Sequence, residues 1–199
     1  MSRPKNPDTI RTRLLDVGLA AFAKQGYHGT GIKEIVDAAQ VPKGSFYNYF
    51  KSKEDFGLAI LLRHSGEFWQ RWQENFDATH PDPLQSLKGC IKTMLEEHFE
   101  CAINTCSVVA HLASEMCDTS SVCRITMTAV AKQWADNLAG AIQQAQLTGS
   151  VRNDLDATQL AFLFWDAWHG AMLRVKMAGS PEPVKQLVEV MFTMLLPRQ

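Results

Sequence analysis

The chain has 199 residues, of which 46% are hydrophobic and 21% charged, and its formal net charge is −1. This composition is ordinary for a globular protein, and it excludes disordered, collagen-like and low-complexity chains. Residues 1–7 carry no apolar signal-peptide core and no apolar run reaches about 18 residues, so we expect a soluble, cytoplasmic protein with no membrane partner.

The first third of the chain is predicted to form three helices followed by a longer fourth one. Apolar residues recur at three- and four-residue steps from Ile10 to Phe22, as on a helix with one buried face. The third helix, Lys43 to Tyr49, has barely two turns. Capping or stop residues mark the helix boundaries, and these are Asp8, Gly26, Thr30 and Ser52.

Proline, glycine and capping signals divide the rest of the chain into five further helices. No alternating strand pattern and no Asn-Gly hairpin is found in the sequence. We therefore expect an all-α fold of about nine helices, with a three-helix domain at residues 1–52 and a larger helical domain at 53–199. The five later helices are predicted at about 83–100, 105–118, 120–146, 156–178 and 183–196.

Charge is distributed unevenly along this chain. Residues 1–63 contain ten Lys and Arg against six Asp and Glu, a balance of +4, whereas the remainder contains ten against fifteen, a balance of −5. A basic first third predicts an anionic partner for that part alone. The second and third helices, joined by a tight turn, follow the helix-turn-helix plan, in which the last helix enters the major groove of double-stranded DNA.

Residues 8–56 resemble the TetR family of bacterial transcriptional repressors. The resemblance rests on Arg13-Leu14-Leu15, Ala21-Phe22, Gly26-Tyr27, Thr30-Gly31-Ile32, Ile35, Ala38-Ala39, residues 41–50 and Ser52-Lys53-Glu54. Gln40 stands where the family usually has glycine, and a positive φ there would cost glutamine about 1 kcal/mol. Gly31 stands where the family usually has serine or threonine.

The residue types in this segment suit contact with DNA. Gly44 and Ser45 keep the front edge of the third helix small, and Tyr47 and Tyr49 can reach phosphates with their hydroxyls. Asn48 can bond a base edge or the DNA backbone. The DNA-contacting residues that the pattern predicts are Thr30, Gly31, Lys43, Gly44, Ser45, Tyr47, Asn48, Tyr49 and Lys53, on a small core of Phe22, Ile35, Phe46 and Phe50.

Two turns of recognition helix supply too little specificity alone, so we expect a homodimer on a near-palindromic operator. The last two helices are the expected interface, forming a four-helix bundle across the two-fold axis. The alternative is that both helices are ordinary core. The expected interface residues are Leu160, Phe164, Ala167, Ala171, Val175, Leu187, Met191 and Met194.

Aromatic, methionine and histidine residues are dense between these two ends of the chain. They are predicted to line an apolar cavity for a small-molecule effector, although core packing alone would use the same residue types. The ligand-binding candidates are Trp69, Trp72, His98, His111, Trp134 and Trp168.

Five cysteines, an odd number with no C-x-x-C pair, are interpreted as reduced thiols. A metal site using His98, Cys101, Cys106, His111 and Cys117 would match no standard zinc spacing, so no metal or cofactor is expected. Asn104-Thr105 caps a predicted helix, so Cys106 lies in its first turn, where a thiol becomes reactive. Cys106 is the candidate sensor of an electrophile or oxidant, with Lys176 as a possible amine partner; packing is the alternative.

Residues 106–117 and 165–176 resemble the branch of the family that responds to reactive electrophiles and small unsaturated acids. We therefore expect a ligand- or electrophile-responsive repressor, not an enzyme, that an effector in the larger domain releases from DNA. One alternative is a constitutive or architectural DNA-binding protein without an effector. The other is an all-α enzyme using Cys106, His98 and His111, although the sequence has no G-x-S-x-G, H-E-x-x-H or P-loop motif.

Overall fold

The computed structural model describes residues 7–101 and 105–195, and the side chains of residues 9–97 and 110–195. Within those ranges the chain forms nine helices and no strand, which confirms the all-α prediction. The helices are α1 Pro7–Gly29, α2 Ile32–Ala38, α3 Lys43–Tyr47, α4 Lys53–Asn75, α5 Pro83–Cys101, α6 Thr105–Thr119, α7 Ser121–Leu147, α8 Ala157–Ala178 and α9 Glu182–Leu195.

Helix α1 differs from its prediction at both ends. It begins at Pro7, so Asp8 lies in the first turn instead of capping it, as suits a proline whose missing N–H is not needed there. The predicted stop at Gly26 is a break, with φ 74° and ψ 175°, after which the chain makes one more turn to Gly29. Only glycine adopts such angles readily.

The turn between α2 and α3 is a Schellman-type helix end. The N–H of Val41 donates to the carbonyl of Val36 at 3.0 Å, and Gln40 between them has φ 55°. The left-handed conformation considered from the sequence is therefore present, in a residue other than glycine. Helix α3 ends at Tyr47, two residues before its predicted bound. In the turn that follows, the N–H groups of Tyr49 and Phe50 both donate to the carbonyl of Phe46.

Side-chain caps fix the starts of α4 and α8. The cap at Ser52 agrees with the prediction, whereas Asp156 was predicted to be the first residue of its helix. Ser52 Oγ accepts from the N–H of Asp55 at 3.0 Å, before α4. Asp156 accepts from the N–H groups of Thr158 and Gln159 at the start of α8, and Gly179 ends that helix with φ 62°. The strength of these local signals explains why the bounds of the long helices agree with the sequence.

The chain divides into two compact units, each built from separate stretches of sequence. The first comprises Met1–Gly66 and Val108–Met127, and the second Glu67–Ser107 and Thr128–Gln199. The four core residues predicted for the N-terminal helices, Phe22, Ile35, Phe46 and Phe50, are all buried in the first unit. That unit also buries Phe56, Ile60 and Leu61 of α4 and Leu112 and Met116 of α6.

The second unit has its own apolar core between α5, α7, α8 and α9. Its most deeply buried side chains are Leu87, Cys90, Ile142, Ala145, Val151, Ala161, Met172, Val175, Val184 and Leu195. Among the described helices, none has the length and apolar character needed to cross a membrane.

Candidate nucleic-acid interface and apolar cavity

Helix α3 is anchored by one side and exposed on the other. Phe46 is fully buried and packs against Phe50 and Phe56, with ring centroids 5.4 and 5.1 Å away. Tyr47 is 51% exposed and meets the edge of Phe46. The predicted contact residues Lys43, Gly44 and Asn48 are also exposed, while Ser45 and Tyr49 are half-buried.

The structure places Thr30 differently from the prediction. Its side chain is 1% exposed, and its hydroxyl donates to the carbonyl of Gly26 at 2.8 Å. The hydroxyl therefore satisfies a carbonyl left free by the break in α1, and it does not face a phosphate. Gly31 is exposed, with open space where a side chain would be.

Lys53, in the first turn of α4, is held against an aromatic ring. Its ammonium lies 4.5 Å from the ring centroid of Tyr27, a cation–π contact. Burial lowers the pKa of the Lys53 ammonium, and the Glu115 carboxylate partly opposes that shift. The cation is thus oriented by the protein before any phosphate arrives.

Glu115 of α6 is a part of this interface that the sequence did not indicate. Its carboxylate accepts hydrogen bonds from the N–H groups of Tyr27, at 2.9 Å, and His28, at 3.2 Å. A Cβ on Gly26 would lie 2.8 Å from a carboxylate oxygen of Glu115, so a side chain there would displace this cap, in addition to the strain at φ 74°. No local motif marks a helix cap supplied from so far along the chain.

His111, predicted as a cavity residue, lies in the first unit. It is exposed, and its Nε2 is 3.8 Å from the Glu115 carboxylate, one helical turn away. His111 is not among the residues that line the cavity, and this corrects the prediction. From residue 108 onwards α6 belongs to the first compact unit, whereas the cavity lies within the second.

Basic side chains surround the helix-turn-helix. The guanidinium of Arg11 lies 5.5 Å from the ring centroid of Phe50, and Arg13 donates to the carbonyl of Ala39 at the end of α2. These contacts position cations beside the N-terminal helices, as binding of a polyanion requires. Further lysines of this unit are exposed, and they are Lys24, Lys33, Lys43 and Lys51.

An apolar cavity of about 40 Å³ lies within the second unit. Three of the predicted ligand residues, Trp72, Trp134 and Trp168, line it, whereas Trp69 packs beside Trp134 with ring centroids 5.5 Å apart. The side chain of His98 lies outside the described side chains. Among the described side chains, the lining consists of Phe68, Trp72, Ile91, Met94, Trp134, Leu138, Phe164, Trp165 and Trp168.

The aromatic rings of the cavity form a connected set. Trp134 stacks on Trp165 at 6.1 Å with an interplanar angle of 7°, and meets Phe68 edge-on at 4.5 Å. None of the nine lining side chains carries a charge. The lining is therefore neutral and apolar. Because a cavity that holds benzene measures about 150 Å³, an aromatic ligand would enter this one only with movement of the lining side chains.

The predicted sensor, Cys106, lies near the start of α6. Cys106 is in α6, but its side chain, like that of Cys101, lies outside the described side chains. Lys176 is exposed in the last turn of α8. Among the side chains that the structure describes, no three His, Cys, Asp or Glu residues converge as a metal site would need.

The predicted dimer face is mainly core. Leu160, Phe164, Ala171, Val175 and Met191 are buried within the single chain, because α8 and α9 pack on each other and on the second unit's core. Ala167 and Leu187 are half-buried, and Met194 is exposed. The apolar side chains that α8 and α9 expose are Met194, which the prediction includes, and Phe162, Leu163, Leu173, Met177 and Val190.

Comparison with known protein families finds two matches. Residues 14–60 match the family described as bacterial regulatory proteins, tetR family. Residues 83–191 match a family described as tetracyclin repressor-like, C-terminal domain. Together the two matches cover the helix-turn-helix and α5, α7 and α8, which supply most of the cavity lining, whereas Phe68 and Trp72 of α4 lie between the matched ranges.

Individual proteins are similar over nearly the whole chain. The HTH-type transcriptional repressor DhaR of Mycobacterium sp. strain GP1 is 34% identical over 194 residues, covering 94% of this chain and 93% of that protein. The crystal structure of regulatory protein TetR from Rhodobacter sphaeroides has a TM-score of 0.83 at 30% identity, covering 93% and 98% of the two chains. The reduced form of Escherichia coli NemR has a TM-score of 0.81 at 27% identity, covering 94% and 97%.

Proposed function

Because this chain belongs to the TetR family of bacterial regulatory proteins, we propose that it is a transcriptional repressor released from its operator by a small-molecule effector. The observation that carries the proposal is the exposed face of α3. Lys43, Tyr47 and Asn48 are available to DNA while Phe46 fixes the helix from behind. The oriented cation of Lys53 supplies a phosphate contact beside that face.

The operator is expected to be near-palindromic and to bind a homodimer. Helix α3 is a five-residue helix, and one copy of it reads only a few base pairs. Two copies about 34–36 Å apart, related by a two-fold axis, would read matching half-sites on one side of the duplex. The exposed apolar side chains of α8 and α9 are the proposed surface for the second copy.

The effector is proposed to be neutral and largely apolar. A charged ligand in the cavity would lose hydration without meeting a counter-charge on the nine lining residues. The rings of Trp134 and Trp165 offer flat surfaces to an aromatic or unsaturated molecule.

Helix α4 gives a route from effector to DNA. Phe68 and Trp72 line the cavity at one end of this helix, and Lys53 lies in its first turn at the other. A ligand that repacks Phe68 or Trp72 therefore acts on the helix that carries the phosphate-binding cation. Release then follows if the effector favours a position of α4 that the operator does not.

Cys106 is proposed as an additional sensor because the backbone places it in the first turn of α6, where unpaired N–H groups favour a thiolate. The test compares operator release by a maleimide in wild type and in Cys106→Ser. Release of wild type alone supports the sensor, and equal release of both proteins would assign Cys106 to packing.

The main proposal is tested by selecting genomic DNA fragments bound by the full-length protein and mapping the protected sequence. A palindromic site, bound tightly and lost as salt rises, is the expected result. Small neutral aromatics are then added to the complex. Binding that is specific but indifferent to every such ligand would favour the constitutive DNA-binding protein, and no sequence preference at all would contradict the repressor.

A further inference from the structure

Two cysteines lie side by side at the junction of α6 and α7. The Sγ atoms of Cys117 and Cys123 are 3.6 Å apart, with the turn between the two helices separating the residues in sequence. A disulfide has an S–S length of about 2.05 Å, so the sulfurs need to approach by roughly 1.6 Å. Neither thiol has a role in the DNA-binding face or in the cavity.

The two thiols differ in access to solvent. Cys117 is half-buried at the end of α6, whereas Cys123 is 0% exposed in the core of the first unit. Burial, followed by the hydrogen bond and charge of Cys117, raises the pKa of the Cys123 thiol to about 12. A small oxidant therefore meets Cys117 first, and Cys123 is in position to react with the product.

The turn that joins them also contacts α4. Ser120 Oγ accepts from the N–H of Cys123 at 2.9 Å and its hydroxyl donates to the carboxylate of Glu54. Glu54 follows Lys53 in the first turn of α4. A guanidinium N–H of Arg124 donates to the carbonyl of Cys117 at 2.6 Å, so both cysteines are held by bonds that span the turn.

We propose that Cys117 and Cys123 form a reversible disulfide when a hydroperoxide oxidises them, and that this disulfide weakens operator binding. The effect on DNA rests on the repressor function proposed above, whereas formation of the disulfide does not. Neither cysteine of this pair is the candidate sensor Cys106, and neither is among the residues that line the apolar cavity.

The reaction has two steps. The Cys117 thiolate attacks the terminal oxygen of the hydroperoxide, the O–O bond breaks, and an alcohol leaves after taking up a proton, which produces a sulfenic acid on Cys117. The Cys123 sulfur then attacks the Cys117 sulfur, and the hydroxyl leaves as water with the thiol proton of Cys123. Two thiols and one hydroperoxide thus give one disulfide, one alcohol and one water.

The consequence for DNA follows from the position of Ser120. Drawing the two sulfurs together moves the backbone on which Ser120 lies, and Ser120 is the residue that holds Glu54. Displacing Glu54 disturbs the first turn of α4, where Lys53 rests on the ring of Tyr27. We expect operator affinity to fall by about tenfold, an ordinary size for coupling between two sites.

Disulfide formation is measured on the full-length protein treated with cumene hydroperoxide and with free thiols blocked afterwards. Cleavage of the peptide bond between Cys117 and Asp118 puts Cys117 and Cys123 on two different peptides. These peptides then remain joined only if a disulfide links them. The expected result is a joined pair that dithiothreitol separates. It should be lost in Cys117→Ala and in Cys123→Ala, and retained in the matched control Cys90→Ala, whose thiol is also buried.

Operator affinity is measured in parallel, before and after oxidation. With Cys106 replaced by serine in every protein compared, we expect the fall in the parent and in Cys90→Ala, recovery with dithiothreitol, and no fall in Cys117→Ala. Absence of the joined peptides would overturn the proposal, as would an equal loss of affinity in the parent and in Cys117→Ala on this background. A reduced protein that binds no DNA would contradict the repressor function instead, while the peptide result would still decide whether the disulfide forms.

Discussion

The carboxylate of Glu115 accepts a hydrogen bond from the backbone N–H of Tyr27 at 2.9 Å, across 88 positions of sequence. Tyr27 follows the break at Gly26, where the N–H groups of a new helical turn have no partner within the helix. Glu115 therefore acts as a cap supplied by α6. The entry to the helix-turn-helix thus depends on a residue far outside it.

Replacing Glu115 by Ala should destabilise the first unit. The substitution leaves the N–H groups of Tyr27 and His28 without their acceptor, and loss of a helix cap costs about 1 kcal/mol. The urea unfolding midpoint checks this. Asp118→Ala is the matched control, since it removes an exposed carboxylate from the same helix; equal midpoints for the two variants would contradict the capping role.

Lys53→Ala should weaken operator binding and flatten its salt dependence. One lost phosphate contact reduces the slope of log affinity against log salt by about 0.9 per protomer. Tyr47→Ala should weaken binding with little change in slope, because the hydroxyl carries no charge. Lys92→Ala, which removes a lysine of the second unit, serves as the control. A wild-type salt slope in Lys53→Ala would contradict the predicted contact between Lys53 and a phosphate.

Gln40→Gly should stabilise the protein. Gln40 has φ 55°, a conformation that disfavours a side chain by about 1 kcal/mol and that glycine adopts freely. Glycine two residues earlier, in Ala38→Gly, should destabilise α2 by a similar amount. Thermal unfolding of the two variants should therefore move in opposite directions, and a fall in both midpoints would mean that the Gln40 side chain stabilises the turn.

A charge on the exposed face of α8 or α9 should dissociate the dimer. Leu163 is 47% exposed and Val190 55% exposed in the single chain, so Leu163→Glu and Val190→Glu should fold but sediment as monomers. Gln159→Glu is the control for added charge. Val175 is 0% exposed, and Val175→Glu should unfold the chain instead. Intact dimers in both exposed-face variants would place the interface elsewhere.

The cavity should discriminate by charge. We expect indole to raise the unfolding midpoint of the protein, as any ligand of the folded state does, and indole-2-carboxylate to leave it unchanged. Trp168→Leu should reduce the indole effect because Trp168 lines the cavity, whereas Trp69→Leu should preserve it. A stronger response to the carboxylate would contradict the neutral-effector proposal.

Local signals in the sequence predicted most of the fold. The nine helices of the described residues, the cap at Ser52 and the interruption of α1 at Gly26 each depend on residues within one or two turns. The exposed face of α3 was predictable in the same way, because its core residue Phe46 and its polar neighbours alternate within two turns. Such features are decided by backbone hydrogen bonds and side-chain periodicity, which a sequence displays directly.

Only the tertiary structure decided which partner each side chain meets. Glu115 of α6 reaches Tyr27 of α1, and Cys117 of α6 lies beside Cys123 of α7, both through packing between elements. Helix α8 shows the same principle for apolar residues, because Leu160 and Val175 are buried whereas Leu163 and Leu173 are exposed. A helix that is apolar on several faces does not reveal which one its own chain covers, because burial depends on neighbours distant in sequence.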